Sequence, residues 1–276
     1  MKKIYFILIL LMGFITVNAQ TDSTTVDTMH IAEDRKAEAA PIQIVAHATK
    51  AEADSAYINN DFAGAVNLYE SILKNDGESA DIYYNLGNSY YKLENIAKAV
   101  LNYERALLLN PGDGDTRSNL ELARSKTVDK ITPPSEMFFI TWTQSLINTM
   151  SENAWAHTGI ITFILTIIML ALYIFGKRVL WKKIGFISAI CFFVICILAN
   201  VFASEQKAEL LNHENAIIMA PSVTVKSTPN QSGTDLFILH EGRKVMIKDN
   251  TMKEWKEIKL EDGNVGWVPT SVIEII

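Results

Sequence analysis

Apolar residues in this chain recur with several different periods, and each period predicts a different kind of element. Three runs are almost free of charge: 4–15, 155–175 and 184–203. The first is too short to span a bilayer. The other two, about 20 residues each, match a hydrocarbon core of ~30 Å at about 1.5 Å of helix rise per residue. Between 47 and 126 the apolar positions recur with helical spacing. At 138–151, Phe138, Trp142, Leu146 and Met150 recur every fourth residue beside Phe139 and Ile147. That pattern predicts an amphipathic helix, lying on a membrane–water interface or packed on the helical region. From 216 to 276 the period falls to two, with strands expected near 217–219, 223–226, 236–238, 244–247, 255–259 and 265–268. Turn residues punctuate them at Pro229-Asn230, Glu241-Gly242, Asp249-Asn250 and Asp262-Gly263, and strands this short and dense predict a small all-β barrel.

The flanks of the apolar runs add direction. Lys2 and Lys3 precede the first run and Val17-Asn18-Ala19 follows it, the pattern of an export signal over 1–19, with an uncleaved anchor as the alternative. Residues 20–46 are polar and read as a linker. Between the two long runs, 176–183 carries Lys177, Arg178, Lys182 and Lys183 and no acid. The positive-inside rule places such a loop in the cytoplasm, so the regions on either side lie across the membrane, as the export signal independently requires. Neither long run contains Asp, Glu, Lys or Arg, which suits an anchor rather than an ion or proton path. His157, at the membrane edge, reads as a solvated interfacial residue. Residues 127–137, with Pro133-Pro134, read as a linker, and 204–215 as a short linker helix leading to the strands.

The helical region repeats. Residues 80–113 place Tyr83, Leu86, Gly87, Tyr90, Ala99, Tyr103, Ala106 and Pro111 at the spacing of a 34-residue two-helix unit. Gly87, Ala99 and Ala106 let two helices approach closely, Tyr and Leu fill the space between them, and Pro111 ends the second helix. A weaker copy precedes it, with Ala53, Ala65 and Tyr69-Glu70 standing where Gly87, Ala99 and Tyr103-Glu104 stand. A third unit starts at 119–124 and is expected to cap the open end. On these residues the region, 47–126, resembles the tetratricopeptide repeat family. The resemblance implies an all-α solenoid that binds protein or peptide in a concave groove lined by the first helix of each pair. It places Lys50, Asp54 and Tyr57 of the first repeat on that groove, with Asp81, Tyr84, Asn88, Tyr91 and Lys92 of the second. Ordinary solvated or inter-repeat positions would suit the same residues. The two-carboxylate peptide clamp of some members is not carried over, because the basic residues of a third repeat are missing.

In the last segment, Val225-Lys226-Ser227-Thr228-Pro229, Leu239-His240-Glu241-Gly242, Trp255-Lys256-Glu257-Ile258 and Asp262-Gly263-Asn264-Val265-Gly266-Trp267-Val268 resemble the bacterial form of the Src-homology-3 barrel. That family binds cell-wall or protein ligands. The Ala-Leu-Tyr-Asp-Tyr motif of polyproline-binding forms is absent, so that recognition is not implied. Trp255 and Trp267 are expected in the core, with a ligand-facing position as the alternative.

Charge and composition narrow the classes. A net charge of −6 and a pI near 5.4 exclude a basic face for nucleic acid. The only cysteines, Cys191 and Cys196, lie inside the last apolar run on different helix faces, which suits neither a disulfide framework nor a redox pair. His30, His47, His157, His213 and His240 show no ligand spacing. Asn110-Pro111-Gly112-Asp113-Gly114-Asp115 imitates an acidic calcium loop but lacks its closing Glu, and reads as an inter-repeat turn. No nucleophile elbow, H-E-x-x-H or Walker loop is present, so the expectation is no enzyme, no cofactor and no metal. The order of units as a whole resembles the BatE proteins of the aerotolerance (Bat) operon. It implies an inner-membrane protein with both domains in the periplasm, and partners bearing von Willebrand factor A domains or repeats. The expected function is a membrane-anchored scaffold for protein assembly. The alternative is a peptidoglycan-binding adaptor that recruits a cell-wall enzyme.

Overall fold

Four of the five helices that build the repeat region begin at a side chain that caps them. In the computed structural model, which describes residues 48–129, 137–212 and 214–276, these are α1 (Lys50–Ile58), α2 (Phe62–Asp76), α3 (Ala80–Lys92), α4 (Ile96–Leu109) and α5 (Gly114–Ser125). The export signal, the polar linker, Pro133-Pro134, His30, His47 and His213 lie outside the described residues. Thr49 and Glu52 form a capping box on α1. Asp61 accepts from Gly64 N–H at 2.9 Å and Asn95 from Lys98 N–H at 3.2 Å, one repeat apart. Just before these caps, Asn60 (φ 62°) and Glu94 (φ 60°) both adopt the left-handed conformation that turns one helix back on the next. Asp113 takes the N–H groups of Asp115 and Thr116 and the Thr116 hydroxyl, so the acidic 110–115 segment starts a helix.

Small residues set the helix spacing. Ala53, Ala65 and Ala99 are fully buried, and a Cβ on Gly87 would lie 2.7 Å from the ring of Tyr103. Tyr69 and Tyr103 fill the two inter-helix spaces almost without exposure, and α5 closes the stack by burying Thr116, Leu120 and Ala123.

Three further helices follow: α6 (Phe138–Ile147), α7 (Glu152–Phe175) and α8 (Val179–Leu211). The last two form a hairpin, and both are long and apolar enough to cross a membrane. They meet along small residues. A Cβ on Gly185 would come within 2.8 Å of the Met169 carbonyl, and Ala189 and Ala199 are buried. Their outer faces leave Ile160, Ile164, Ile168, Phe186, Ile190 and Ile197 exposed. The connecting loop is shorter than the expected 176–183, because α8 begins at Val179 and takes in Lys182 and Lys183. The separate linker helix expected at 204–215 is instead the end of α8. Its Ala, Glu, Gln, Lys and Leu residues are good helix formers, and nothing breaks the helix before Leu211.

The C-terminal segment is an antiparallel sheet: β1 (Asn215–Ile218), β2 (Ser222–Lys226), β3 (Asp235–His240), β4 (Lys244–Asp249), β5 (Trp255–Lys259), β6 (Val265–Pro269) and β7 (Ile273–Ile275). Its order is β3-β2-β6-β5-β4-β1-β7. The expected barrel does not close: β3 is one edge, and the short β7, added outside β1, is the other. Alternation places Val225, Leu239, Val245, Ile258 and Val268 in a common core. Lys256 reaches that interior, where its amine donates to Asn250 O at 3.1 Å and Met252 O at 2.8 Å, so the turn before β5 satisfies the charge.

β1 joins the sheet to the repeats. Ala216 and Ile218 face the sheet core, whereas Ile217, of opposite parity, enters the repeat core. Both faces of the strand are therefore buried. Polar ties surround this contact. Glu104 on α4 accepts from Lys244 Nζ at 2.9 Å and from Arg124. Arg105 pairs with Glu274 at 3.2 Å and donates to the Ile275 carbonyl, and Asp129 receives His240 N–H at 2.7 Å.

Candidate protein-binding groove

The first helix of each pair, α1 and α3, lines one face together with α5, and the same hydrogen-bonded triad recurs there one repeat apart. Asp54 Oδ1 accepts from the Tyr69 hydroxyl at 2.6 Å and from Asn85 Nδ2 at 3.3 Å. Asn88 Oδ1 accepts from the Tyr103 hydroxyl at 2.7 Å and from Asn119 Nδ2 at 2.9 Å. Each triad ties a first helix to its own second helix and to the first helix of the next unit. The acceptors of Asp54 and Asn88 thus hold the stack together. Asn119 Nδ2 also reaches the Tyr84 hydroxyl at 3.2 Å, and the Tyr84 ring lies 6.2 Å from that of Tyr103.

Four of the eight expected groove residues converge on one concavity. Tyr57, Asn88, Tyr91 and Lys92 line a pocket of about 210 Å³, together with Asn119 and Leu122 from α5. Tyr57 is braced edge-on against Phe62 at 5.3 Å, and Lys126 Nζ stands 4.2 Å above the Tyr91 ring. The others lie outside the pocket. Lys50 pairs with Asp54 at 3.2 Å on the exposed side of α1, Tyr84 packs just behind the pocket wall, and Asp81 is exposed in the first turn of α3.

Burial, followed by the neighbouring tyrosines Tyr84, Tyr57 and Tyr91, pushes the Tyr103 hydroxyl upward. Burial and Tyr84 do the same for Tyr57. These hydroxyls are therefore neutral donors near neutral pH. Tyr103 donates its proton to Asn88 Oδ1, so the groups that match the carbonyls and occasional carboxylates of a polypeptide are the Tyr57 hydroxyl, the Asn88 amide and the Lys92 cation.

Sequence reasoning missed Asn119 and Leu122 because it treated 119–124 only as a cap. The signal was present: Asn119 stands one 34-residue repeat after Asn85.

A second, smaller candidate lies on the sheet. Trp255 and Trp267 were expected in the core, but both are half-buried on the face that turns away from it. The register pairs Glu257 with Trp267 and Trp255 with Pro269, so the two indoles are diagonal neighbours on adjacent strands. Parity is the reason: Lys256, Ile258 and Val268 take the inward positions.

Residues 80–113, which form α3, α4 and the turn after them, match the family described as Tetratricopeptide repeat. A comparison with curated proteins finds no match. Residues 80–113 are therefore a tetratricopeptide repeat, and a repeat of this kind suggests a role in contacts between proteins.

Proposed function

We propose that this protein is a membrane-anchored scaffold whose repeat groove captures a polypeptide partner on the non-cytoplasmic side of a bacterial inner membrane. The observation that carries this reading is the convergence of Tyr57, Asn88, Tyr91 and Lys92 on one pocket within a matched repeat architecture. The exposed apolar faces of α7 and α8 support their role as the anchor, since isoleucines and phenylalanines in such number suit a lipid environment. The charge of Lys177, Arg178, Lys182 and Lys183 at the hairpin tip supports a cytoplasmic tip. The antiparallel sheet is read as a bacterial Src-homology-3 fold, and the whole as a BatE-like component of an aerotolerance-type complex. In that reading the partners carry von Willebrand factor A domains or repeats of their own.

Docking of the sheet on α4 bears on the mechanism. It covers α4, the second helix of the second pair, and leaves the face formed by α1, α3 and α5 open. Cross-linking in intact cells, followed by identification of what co-purifies, tests the reading. A membrane or exported protein recovered with the native chain, and lost from a Tyr57→Ala, Tyr91→Ala double variant of unchanged thermal stability, supports it. Equal recovery with both chains removes the groove from the account.

The diagonal Trp255–Trp267 pair favours a second reading, in which the sheet docks on peptidoglycan through stacked sugar rings while the repeats recruit an enzyme.

A further inference from the structure

Among the described residues outside the hairpin, α6 exposes a dense set of large apolar side chains. Phe138 is 84% exposed, Trp142 67% and Phe139 50%, and no charged residue occurs between 137 and 151. At about 100° per residue, Phe138, Phe139, Trp142 and Leu146 share one side of the helix, while Gln144 lies nearly opposite and Thr141 toward the polar flank. Ile147 alone is buried. The helix therefore does not pack on the repeats, one of the two placements the sequence allowed.

Its position is fixed by its C-terminal end. The Ile147 carbonyl accepts from Trp155 Nε1 at 2.8 Å and from Gln206 Nε2 at 3.0 Å. Gln206 also donates to the Met150 carbonyl at 2.7 Å. Trp155 belongs to α7 and Gln206 to α8, so both hairpin arms hold α6 at the end opposite the tip. From the tip at Gly176 back to Trp155, α7 rises about 30 Å, the thickness of a hydrocarbon core. α6 is thus pinned at the level of the far membrane boundary, where an uncharged helix with a Phe/Trp stripe is most stable.

We propose that α6 lies in the outer lipid leaflet, its Phe138–Trp142–Leu146 stripe inserted among acyl chains, as a third membrane contact that holds the repeat domain against the bilayer. A lipid surface is the occupant because the stripe continues the apolar surface of α7 and α8 and is tied to it by the Gln206 and Trp155 bonds. The repeats would follow this placement: a Cβ on Gly112, in the turn before α5, would come within 2.6 Å of the Thr149 carbonyl just after α6. The inference rests on the reading that the hairpin spans a membrane.

The test uses the full chain in vesicles of phosphatidylethanolamine and phosphatidylglycerol, in a Cys191→Ala, Cys196→Ala background. Single nitroxide labels are placed through Phe138→Cys or Trp142→Cys on the stripe, Thr141→Cys or Gln144→Cys on the polar side, and Ile164→Cys on the hairpin. All five positions are exposed in the structure, so the labels do not disturb the core. We expect collision with lipid-soluble oxygen, relative to a water-soluble nickel chelate, to be several-fold higher at 138 and 142 than at 141 and 144. It should be highest at 164. Equal access of the chelate to all four α6 labels, with 164 still in lipid, overturns the inference and leaves the anchor intact. Labels at 138 and 142 shielded from both reagents also overturn it, since a protein or a second copy of the chain then covers the stripe. Chelate access at 164 instead refutes the hairpin reading.

Discussion

Replacing Glu104 by glutamine keeps the shape of the side chain and removes the negative charge that joins the repeats to the sheet. Glu104 is only 7% exposed, and its carboxylate meets Lys244 Nζ at 2.9 Å and the Arg124 guanidinium. A bare pair at that separation is worth about 6 kcal/mol at an effective dielectric of ~20, but desolvation of the carboxylate offsets much of it. The two cations are about one quarter exposed (28% and 29%), so water can partly replace their partner. We therefore expect Glu104→Gln to cost about 2–3 kcal/mol, near the lower end for breaking a buried ion pair. Lys244→Met should cost less, about 1 kcal/mol, because Arg124 remains. Hydrogen exchange of the full chain in detergent micelles is the assay. Exchange should rise in β1 and β7 and on the facing side of α4, while β5 and β6 stay protected. The pH dependence has a definite sign. Burial raises the Glu104 carboxyl, but Lys244 and then Arg124 lower it more, and it ends below the usual carboxylate range. Such a group stabilises the fold fully above its unfolded value of about 4.3, and this contribution fades as pH falls through the lower folded value. Docking should thus persist at pH 5 and loosen in stronger acid, and Glu104→Gln should remove that dependence. Unchanged exchange in β1 together with an unchanged acid profile would refute the hub.

Three further outcomes follow from the geometry. Gly87→Ala should destabilise the repeats by about 1–3 kcal/mol in urea unfolding, since its Cβ meets the Tyr103 ring at 2.7 Å. Glu94→Gly should stabilise by about 0.5–1 kcal/mol, because Glu94 holds a left-handed φ of 60° that glycine adopts without strain, and thermal unfolding would show it. If the sheet binds cell wall, full-length protein in detergent should pellet with peptidoglycan, and Trp255→Ala with Trp267→Ala should abolish pelleting; pelleting that survives both changes would remove the indole face from that reading.

Much of the repeat region was legible because its periodicity is local. Tyr83, Leu86, Tyr90, Ala99, Tyr103 and Ala106 are all buried, as their spacing predicted. The six expected strands lie within β1 to β6, shifted by a residue or two at their ends, because alternation and turn residues mark them. The seventh, Ile273–Ile275, is too short to register as a pattern. Docking of the sheet on α4 was not legible, since Lys244 and Glu104 are far apart in sequence and neither carries a local signal of pairing. In the groove, the repeat resemblance pointed to Lys50, Asp54, Tyr57, Asp81, Tyr84, Asn88, Tyr91 and Lys92 alike, and not to the division of labour among them. Only the hydrogen bonds reveal that Asp54 and Asn88 hold the stack together while Tyr57 and Tyr91 remain on the wall.

The central claim is that a polypeptide partner occupies the groove, and a photo-activatable phenylalanine analogue incorporated at position 91 in intact cells tests it most directly. The account predicts a discrete cross-linked protein from position 91, the same protein from position 57, and none from position 81, which lies outside the pocket. Cross-links that arise equally from 81 and 91, or no adduct from either 57 or 91 while the protein is correctly inserted, would contradict it.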